Sequence, residues 1–313
     1  MENVGIRRKG ITGIMRKKAG YSSTTGIVLT AVLLTVLFLA ACGSQPEDKK
    51  NAGMQKTASQ AEPDSETEIQ VFIAASLQKV MAKLAEDYHM QHPQVKITLY
   101  AESSGTLLTQ IEEGYTCDLF FSAAEEQMDQ LEQDGLVVEG TRADVVRNEV
   151  VVIARKDSGT KVTGISDLEN AQSIALAGGS VPVGRYTRQA LVSMGKLEAA
   201  RGAVITAAEL SKALGGVPIS EQGNVSKVLL AVLEGSCEVG TVYLSDLYGY
   251  KDELKILETI CSELSGDVVY PAAQVVNPEA DETQRKAAAD FLTYLLSEKA
   301  KTVFEAFDYK PAT

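Results

Sequence analysis

The stretch Val71-Phe72-Ile73-Ala74-Ala75-Ser76-Leu77 decides the fold, because an apolar strand pattern turns there into the start of a helix. Residues 68–74 have the composition of a strand and end in small side chains. After Ser76, apolar residues recur at the spacing of one helix face, at Leu77, Val80, Met81, Leu84 and Tyr88. A strand that runs directly into a helix is the repeating unit of α/β domains.

The same alternation continues along the rest of the chain. Strands are predicted at 95–100, 118–122, 150–154, 173–177 and 238–244. Helices are predicted after Ser104 and over 125–133, 183–194, 225–234 and 282–307. This order favours mainly parallel sheets flanked by helices, so the predicted fold class is α/β, with any ligand beyond the carboxyl ends of the strands.

Two extended segments, 150–154 and 268–273, indicate that the chain crosses twice between two lobes. Residues 68–148 plus 272–313 are predicted to form lobe 1, and residues 149–271 lobe 2. The hinges would lie near 148–150 and 270–272. A ligand would then bind in the cleft between the lobes.

The amino terminus has the pattern of an export signal. A segment with six Lys or Arg precedes an apolar run, 27–41, which is interrupted only by Thr30 and Thr35. Residues 1–41 are therefore predicted to be a signal peptide, and the apolar run is short for a membrane span. The ending Leu39-Ala40-Ala41-Cys42 resembles the lipobox of bacterial lipoproteins, which implies cleavage before Cys42 and its lipidation. An uncleaved anchor is the alternative.

Residues 42–67, which follow the apolar run, contain almost no large apolar side chains. Such a segment cannot bury enough surface to offset its chain entropy, and we expect a disordered tether. The protein is thus predicted to be extracytoplasmic and held on the cell membrane through Cys42.

Charge and cysteine content narrow the function classes. The net charge is −12 and aromatic residues make up 6% of the chain, which argues against a nucleic-acid partner. An anionic ligand is still allowed, because distant charges are screened within about 10 Å. Cys117, Cys237 and Cys261 have no paired spacing and the chain has 2 histidines, so no metal cluster is predicted. We expect these three cysteines to be buried structural residues, and a disulfide between two of them is the alternative.

Four strand-to-helix junctions consist largely of small residues: 74–77, 103–106, 179–184 and 223–226. The first turn of a helix has backbone N–H groups without internal partners and carries partial positive charge, so it can bind an anion. A single serine at such a position is usually an ordinary N-cap. The sequence alone does not show that the four junctions face one point.

Taken in order, these motifs resemble the molybdate-binding protein of ABC importers. The resemblance covers about 68–311 and is carried by 71–77, 103–107, 118–123, 181–186 and 240–246. It implies a two-lobed periplasmic-binding-protein-like fold without catalytic activity or cofactor. The implied ligand is molybdate, with tungstate as a second ligand, and the implied partner is the membrane permease of an ABC importer. We expect a monomer.

Carried over residue by residue, the resemblance implies five ligand-binding residues. They are the hydroxyls of Ser76, Ser104 and Tyr243 and the backbone amides of Val183 and Val225. All five are neutral donors, which suits a tetrahedral dianion held by dipoles and hydrogen bonds. The alternatives are that the serines only cap helices, the valines only fill the core and the tyrosine only packs in a strand.

Other functions remain open at this point. The same fold could bind sulfate, thiosulfate, phosphate or an organic anion. An extracytoplasmic enzyme is a different class, but the chain has no Gly-x-Ser-x-Gly motif, and His89 and His92 belong to no recognisable triad. A structural or adhesive lipoprotein is the third class. The segment 197–222 contains extra sequence relative to the family pattern, and no position in the fold is predicted for it.

Overall fold

The computed structural model describes residues 66–198 and 205–312 of the 313-residue chain. The predicted signal peptide, Cys42 and nearly all of the predicted tether lie outside the described residues. Within the described ranges, no helix has both the length and the apolar character needed to cross a bilayer.

The described residues alternate between strands and helices as the sequence pattern predicts. The strands are β1 (Thr67–Ala74), β2 (Val95–Glu102), β3 (Leu119–Phe121), β4 (Ala143–Asn148), β5 (Val150–Arg155), β6 (Ile174–Ala177), β7 (Ile219–Gln222), β8 (Val239–Tyr243), β9 (Leu254–Thr259), β10 (Val268–Gln274) and β11 (Lys310–Pro311). The α-helices are α1 (Gln78–His89), α2 (Ser104–Glu112), α3 (Glu125–Gln133), α4 (Pro182–Ser193), α5 (Ala207–Ala213), α6 (Val225–Leu233), α7 (Ser262–Ser265), α8 (Glu282–Leu295) and α9 (Glu298–Ala306). Short 3-10 helices span Ala75–Leu77, Ile165–Asn170 and Leu244–Leu247.

The strands form two sheets, which define the two lobes. Sheet 1 has the order β11-β4-β10-β3-β1-β2, and sheet 2 has the order β7-β6-β8-β5-β9. Strand β1 is parallel to β2 and β3, and β6 is parallel to β7 and β8. The other pairs are antiparallel, because the segments that cross between the lobes also serve as strands. The predicted two-lobed α/β fold is confirmed, but the sheets are mixed rather than mainly parallel.

Sheet 1 is covered on both faces, and β1 shows why. Its residues alternate between the faces, so that Val71 and Ile73 join one core and Phe72 joins the other. The first core includes side chains from α1, α8 and α9. The second contains Leu107 of α2 and Met128 of α3. The apolar run from Val71 to Ala74 in β1 is therefore buried on both faces, between two helical layers.

The core of sheet 2 is continuous with the first core of sheet 1. The central strand β5 is fully buried over Val150 to Ala154. Helices α4 and α6 pack against the strands of this sheet. Their amino-terminal ends follow β6 and β7 respectively, so both helices begin at the carboxyl edge of the sheet.

The chain crosses between the sheets twice. The first crossing lies where predicted, between the end of β4 at Asn148 and the start of β5 at Val150. The predicted second hinge at 270–272 is wrong, because Val268 already pairs with Asn148 in sheet 1. The second crossing runs instead through 260–267, and the predicted lobe boundary at 271/272 moves with it. Tyr270-Pro271 resembles a strand break in sequence but is an irregularity inside β10.

Two further expectations need correction. The helix predicted over 282–307 is two helices: α8 ends at Leu295 with Leu296 as its C-cap, and Ser297 caps α9 by accepting a hydrogen bond from the Ala300 N–H. Cys117 and Cys237 are buried as expected, but Cys261 is exposed in the second crossing. The described part of segment 197–222 forms α5 and the edge strand β7.

Candidate functional site

The carboxyl ends of strands from both sheets meet at one small cavity. All five residues implied by the resemblance line it, together with small or apolar neighbours such as Ala74, Ala123 and Pro182. The space between these residues is about 200 Å³, part of which is open to solvent. The structure thus brings together residues that are far apart in the chain, as expected for a ligand site at the edge of α/β sheets.

Ser76 lies in the 3-10 turn that leads from β1 into α1. The N-cap residues of this turn and of α1 are Ala74 and Leu77, so the Ser76 hydroxyl is not the capping group. Instead, Ser76 Oγ lies 3.0 Å from the hydroxyl oxygen of Tyr270. The side chain is buried and reaches the cavity, which places it differently from an ordinary N-cap.

Ser104 is the first residue of α2, and its neighbour Ser103 is the one that caps this helix. Ser103 Oγ accepts a hydrogen bond from the Thr106 N–H at 3.1 Å. Ser104 Oγ accepts from the Ala123 N–H at 2.9 Å, which ties α2 to the end of β3. Since its oxygen already accepts this bond, the Ser104 proton can be donated to a group in the cavity.

Val183 and Val225 both pack in the core and line the cavity. Val183 follows Pro182, which lacks an N–H and occupies the first position of α4. Val225 is the first residue of α6, whose cap Asn224 accepts from the Lys227 N–H instead. The amides of both valines are therefore among the N–H groups that have no partner inside their helices.

The loop before α4 is held against the sheet by close packing and a buried cation. An added Cβ at Gly184 would lie 2.2 Å from the Gly178 carbonyl oxygen, so only glycine fits. The Arg188 guanidinium donates to the carbonyls of Ala177 and Gly184. Arg188 thus supports the loop that presents Val183 and does not line the cavity.

Tyr243 ends β8 and is the most informative residue of the site. The side chain is 1% exposed, and its hydroxyl has no hydrogen-bond partner in the protein. Its ring packs edge-on against Tyr186 and Tyr270. Burial raises the pKa of Tyr243 well above its usual value, against a smaller opposing effect of the nearby Tyr270 hydroxyl, so the phenol keeps its proton and can donate it. A buried hydroxyl without a partner is costly unless a ligand accepts from it.

The site is electrically neutral. Among the described residues that line the cavity, none has a charged side chain. The buried carboxyl group of Asp246 accepts from the Tyr243 N–H at 2.9 Å. Burial raises the pKa of Asp246 to about 7, against the opposing effects of this N–H and of Lys79. An anion in the cavity would be bound by dipoles rather than by counter-ions.

Contacts across the cavity hold the two lobes together. Asn224 Nδ2 donates to Glu102 Oε2 at 2.9 Å. At Gly105, an added Cβ would lie 2.5 Å from the carbonyl oxygen of Ser180. The backbones of α2 and of the loop before α4 therefore touch, and the lobes are closed.

Sequence reasoning assigned no role beside the ligand site to three buried polar residues, Tyr270, Asn148 and Tyr309. Tyr270 contacts Ser76 Oγ, and Asn148 Nδ2 donates to the Tyr270 hydroxyl at 3.3 Å. The Tyr309 hydroxyl donates to the Ser76 carbonyl at 2.9 Å. Local patterns could not reveal these residues, since each reaches Ser76 only through the folding of sheet 1 and the carboxyl terminus.

A larger depression of about 1030 Å³ lies on lobe 2 between β7 and α6. It is wide open to solvent and is lined by residues such as Pro218, Lys227 and Leu230. No described side chain there is both buried and without a hydrogen-bond partner. The smaller cavity between the lobes is the better candidate for a specific site.

Two α/β lobes that close on a neutral, donor-lined cavity define a two-lobed solute-binding protein. Residues 69–310 match the family model of the bacterial extracellular solute-binding proteins. The chain belongs to this family.

Named relatives agree with this class. The chain is 29% identical over 285 residues to YvgL of Bacillus subtilis, a candidate ABC transporter substrate-binding lipoprotein, covering 90% of this chain and 96% of that protein. It is 31% identical over 224 residues to the molybdate-binding protein ModA of Mycobacterium tuberculosis, covering 71% and 74% of the two chains. The structure is similar to the substrate-binding domain of a candidate molybdenum ABC transporter from Clostridium difficile, with a TM-score of 0.57, 33% identity, and coverage of 79% and 99%.

Proposed function

We propose that this protein captures molybdate, and also tungstate, outside the cytoplasmic membrane and delivers it to the permease of an ABC importer. The ligand would bind in the cavity between the lobes. Ser76, Ser104 and Tyr243 would donate from their hydroxyls, and Val183 and Val225 from their backbone amides. The names of the ModA relatives support molybdate as the ligand.

One observation carries the proposal: the Tyr243 hydroxyl is buried, protonated and without a partner in the protein. It lines the same cavity as two serine hydroxyls and two helix amino termini. A tetrahedral dianion offers acceptors to all of these donors at once. Hydrogen bonds to a charged acceptor are about twice as strong as neutral ones, so the site needs no counter-charge.

The donor set also explains selectivity. Hydrogen phosphate carries a proton that would face another donor, and an unmatched buried polar group costs about 1–3 kcal/mol. Sulfate has the charge and shape of molybdate but shorter bonds, so it would lose contacts rather than clash. The expected order of affinity is molybdate and tungstate first, sulfate next and hydrogen phosphate last.

The delivery role rests on the amino terminus and on family membership. Cleavage before Cys42 and its lipidation would hold the protein on the membrane, and the segment between Cys42 and β1 would tether the lobes near the permease. The relative YvgL bears the name of a lipoprotein, which supports this arrangement. We expect a monomer that binds its ligand without chemical turnover.

Isothermal titration calorimetry against a panel of oxyanions tests the function. Molybdate and tungstate should bind much more tightly than sulfate, thiosulfate and hydrogen phosphate. Equal affinity for hydrogen phosphate and molybdate would contradict the donor-only site. Tight binding of sulfate alone would keep the fold class but replace the ligand.

A further inference from the structure

A chain of buried hydrogen bonds leads from the first crossing between the lobes to the proposed ligand site. Asn148, Tyr270 and Ser76 are its members, and their side chains are 6%, 0% and 9% exposed. Asn148 Nδ2 lies 2.8 Å from Ser245 Oγ and 3.3 Å from Tyr270 Oη. Tyr270 Oη in turn lies 3.0 Å from Ser76 Oγ.

The direction of each bond follows from the groups that flank it. Asn148 Oδ1 accepts from the Glu149 N–H at 2.9 Å, which settles which end of the amide carries the protons. The two Nδ2 protons are then donated to Ser245 and Tyr270. Tyr270 Oη is therefore an acceptor for Asn148, and its own proton needs another acceptor.

Ser76 Oγ is the acceptor within reach of that proton. The neighbouring Tyr243 hydroxyl makes no hydrogen bond to Tyr270, so if Ser76 donated to Tyr270 instead, the buried Tyr270 proton would be left without a partner, which is unfavourable. Burial raises the pKa of Tyr270 well above its usual value, so the proton is present at neutral pH. With one lone pair of Ser76 occupied by Tyr270, the Ser76 proton is free to point into the cavity.

We propose that Tyr270, oriented by Asn148, is a positioning residue that makes Ser76 a donor and so excludes protonated oxyanions from the site. This inference rests on the proposed function, since it assigns the origin of selectivity within the same cavity. Without Tyr270, the Ser76 hydroxyl could rotate and accept a proton from a ligand. The site would then tolerate hydrogen phosphate, while its contacts with an unprotonated dianion would change little.

Sulfate and hydrogen phosphate are the suitable pair of probes, because they have similar size and charge and differ in the proton. Their dissociation constants are measured by competition against molybdate at mildly alkaline pH, for the wild type and for Tyr270→Phe. We expect the ratio of the phosphate to the sulfate dissociation constant to fall about tenfold in Tyr270→Phe, the size of one unmatched hydrogen bond.

Tyr309→Phe is the matched control. Tyr309 is also buried and also contacts Ser76, but through the backbone carbonyl rather than the hydroxyl. Its removal should shift the affinities for sulfate and hydrogen phosphate together and leave their ratio unchanged. A similar fall in the ratio for both tyrosines would overturn the inference, because it would reflect loosened packing.

Two further variants keep the test decisive if Tyr270→Phe does not fold. Asn148→Asp replaces the donating amide with an acceptor, so the Tyr270 proton should turn away from Ser76 and the ratio should again fall. In a Ser76→Ala background, Tyr270→Phe should no longer change the ratio. An unchanged ratio in Asn148→Asp, or an undiminished effect of Tyr270→Phe without the Ser76 hydroxyl, would overturn the inference.

The wild type separates this inference from the function on which it rests. A wild type that binds neither molybdate nor sulfate would contradict both. A wild type that binds molybdate and rejects hydrogen phosphate, together with an unchanged ratio in Tyr270→Phe, would overturn only the positioning role.

Discussion

At the residue scale, two adjacent serines make different hydrogen bonds. Ser103 caps α2, whereas the hydroxyl of Ser104 turns to the end of β3 and the cavity. Ser76 is the N-cap residue neither of its 3-10 turn nor of α1, since those positions are Ala74 and Leu77. The sequence reading that both proposed serines only cap helices therefore does not hold, although their contact with a ligand stays a prediction.

Tyr243→Phe should have opposite effects on affinity and on stability. Loss of a hydrogen bond to a charged ligand should weaken molybdate binding by about 10- to 100-fold. Loss of a buried hydroxyl without a partner should leave the melting temperature of the ligand-free protein unchanged or raise it. Calorimetry and thermal melting measure the two effects.

Tyr294→Phe is the control for this variant. The Tyr294 hydroxyl also lacks a partner, but Tyr294 packs against Tyr88 and Phe291 and does not line the cavity. Its removal should not change the affinity for molybdate. If Tyr243→Phe binds as tightly as the wild type, Tyr243 is a packing residue and the observation that carries the proposed function is lost.

At the scale of elements, two serine variants at the start of α2 distinguish helix capping from ligand binding. Ser103 also lines the cavity, but its oxygen is used to cap α2, so Ser103→Ala should lower stability by about 1 kcal/mol and weaken binding less than Ser104→Ala does. Ser104→Ala should weaken molybdate binding by about 10- to 100-fold. Denaturant unfolding and calorimetry of both variants provide the comparison. Equal losses of affinity would mean that the hydroxyls act only through the position of α2.

The 3-10 turn after β8 should make stability depend on pH. The pKa of the buried Asp246 is raised from 3.8 to about 7, so between these values the folded protein holds a proton that the unfolded chain has released. Stability should therefore decline as the pH rises through this window and then level off. Lys79 is the cation that opposes the shift, and the neighbouring Tyr243, Tyr270 and Tyr309 remain protonated there.

Thermal melts across this pH range test the assignment. Asp246→Asn can still accept from the Tyr243 N–H and should flatten the decline. Asp157→Asn is the control, because Asp157 is exposed and its pKa is lowered by Arg155. A decline of the same size in Asp246→Asn and in the wild type would show that another group causes it.

At the scale of the whole molecule, closure of the lobes depends on a few contacts. The residues proposed to bind the anion are divided between the lobes. Ser76 and Ser104 lie in lobe 1, and Val183, Val225 and Tyr243 lie in lobe 2. A ligand that touches both lobes stabilises the closed state by its differential contacts. The crossings at 148–150 and 260–267 are the only chain connections between the two sheets within the described residues, and they would act as hinges.

Small-angle scattering should detect this closure. The radius of gyration of the wild type should fall when molybdate is added. In Gly105→Ala, the new Cβ would meet the Ser180 carbonyl at 2.5 Å, so closure should be incomplete and affinity lower. Gly223→Ala is the control, since its Cβ would meet nothing closer than Lys227 Nζ at 3.7 Å. An unchanged radius in the wild type at calorimetric saturation would mean that the site is preformed.

Much of this architecture could be predicted from local sequence. Period-two and helical patterns located most of the strands and helices of both lobes, and small residues marked the strand-to-helix junctions. These signals are local, because burial of one face sets the periodicity and helix starts favour small polar residues. Short or half-exposed elements such as β7 and β9 lack that periodicity and were not predicted.

The sequence by itself thus determined the α/β class, the order of the motifs and the candidate residues, through patterns that span a few turns of chain. Only the tertiary structure decided that these residues line one cavity, that the second crossing lies at 260–267, and that Asn148 and Tyr270 stand behind Ser76. Contacts between residues more than one hundred positions apart, such as Ser76 and Tyr270, depend on the pairing of strands in sheet 1. No local pattern encodes them, because they form only when the separate segments of lobe 1 pack together.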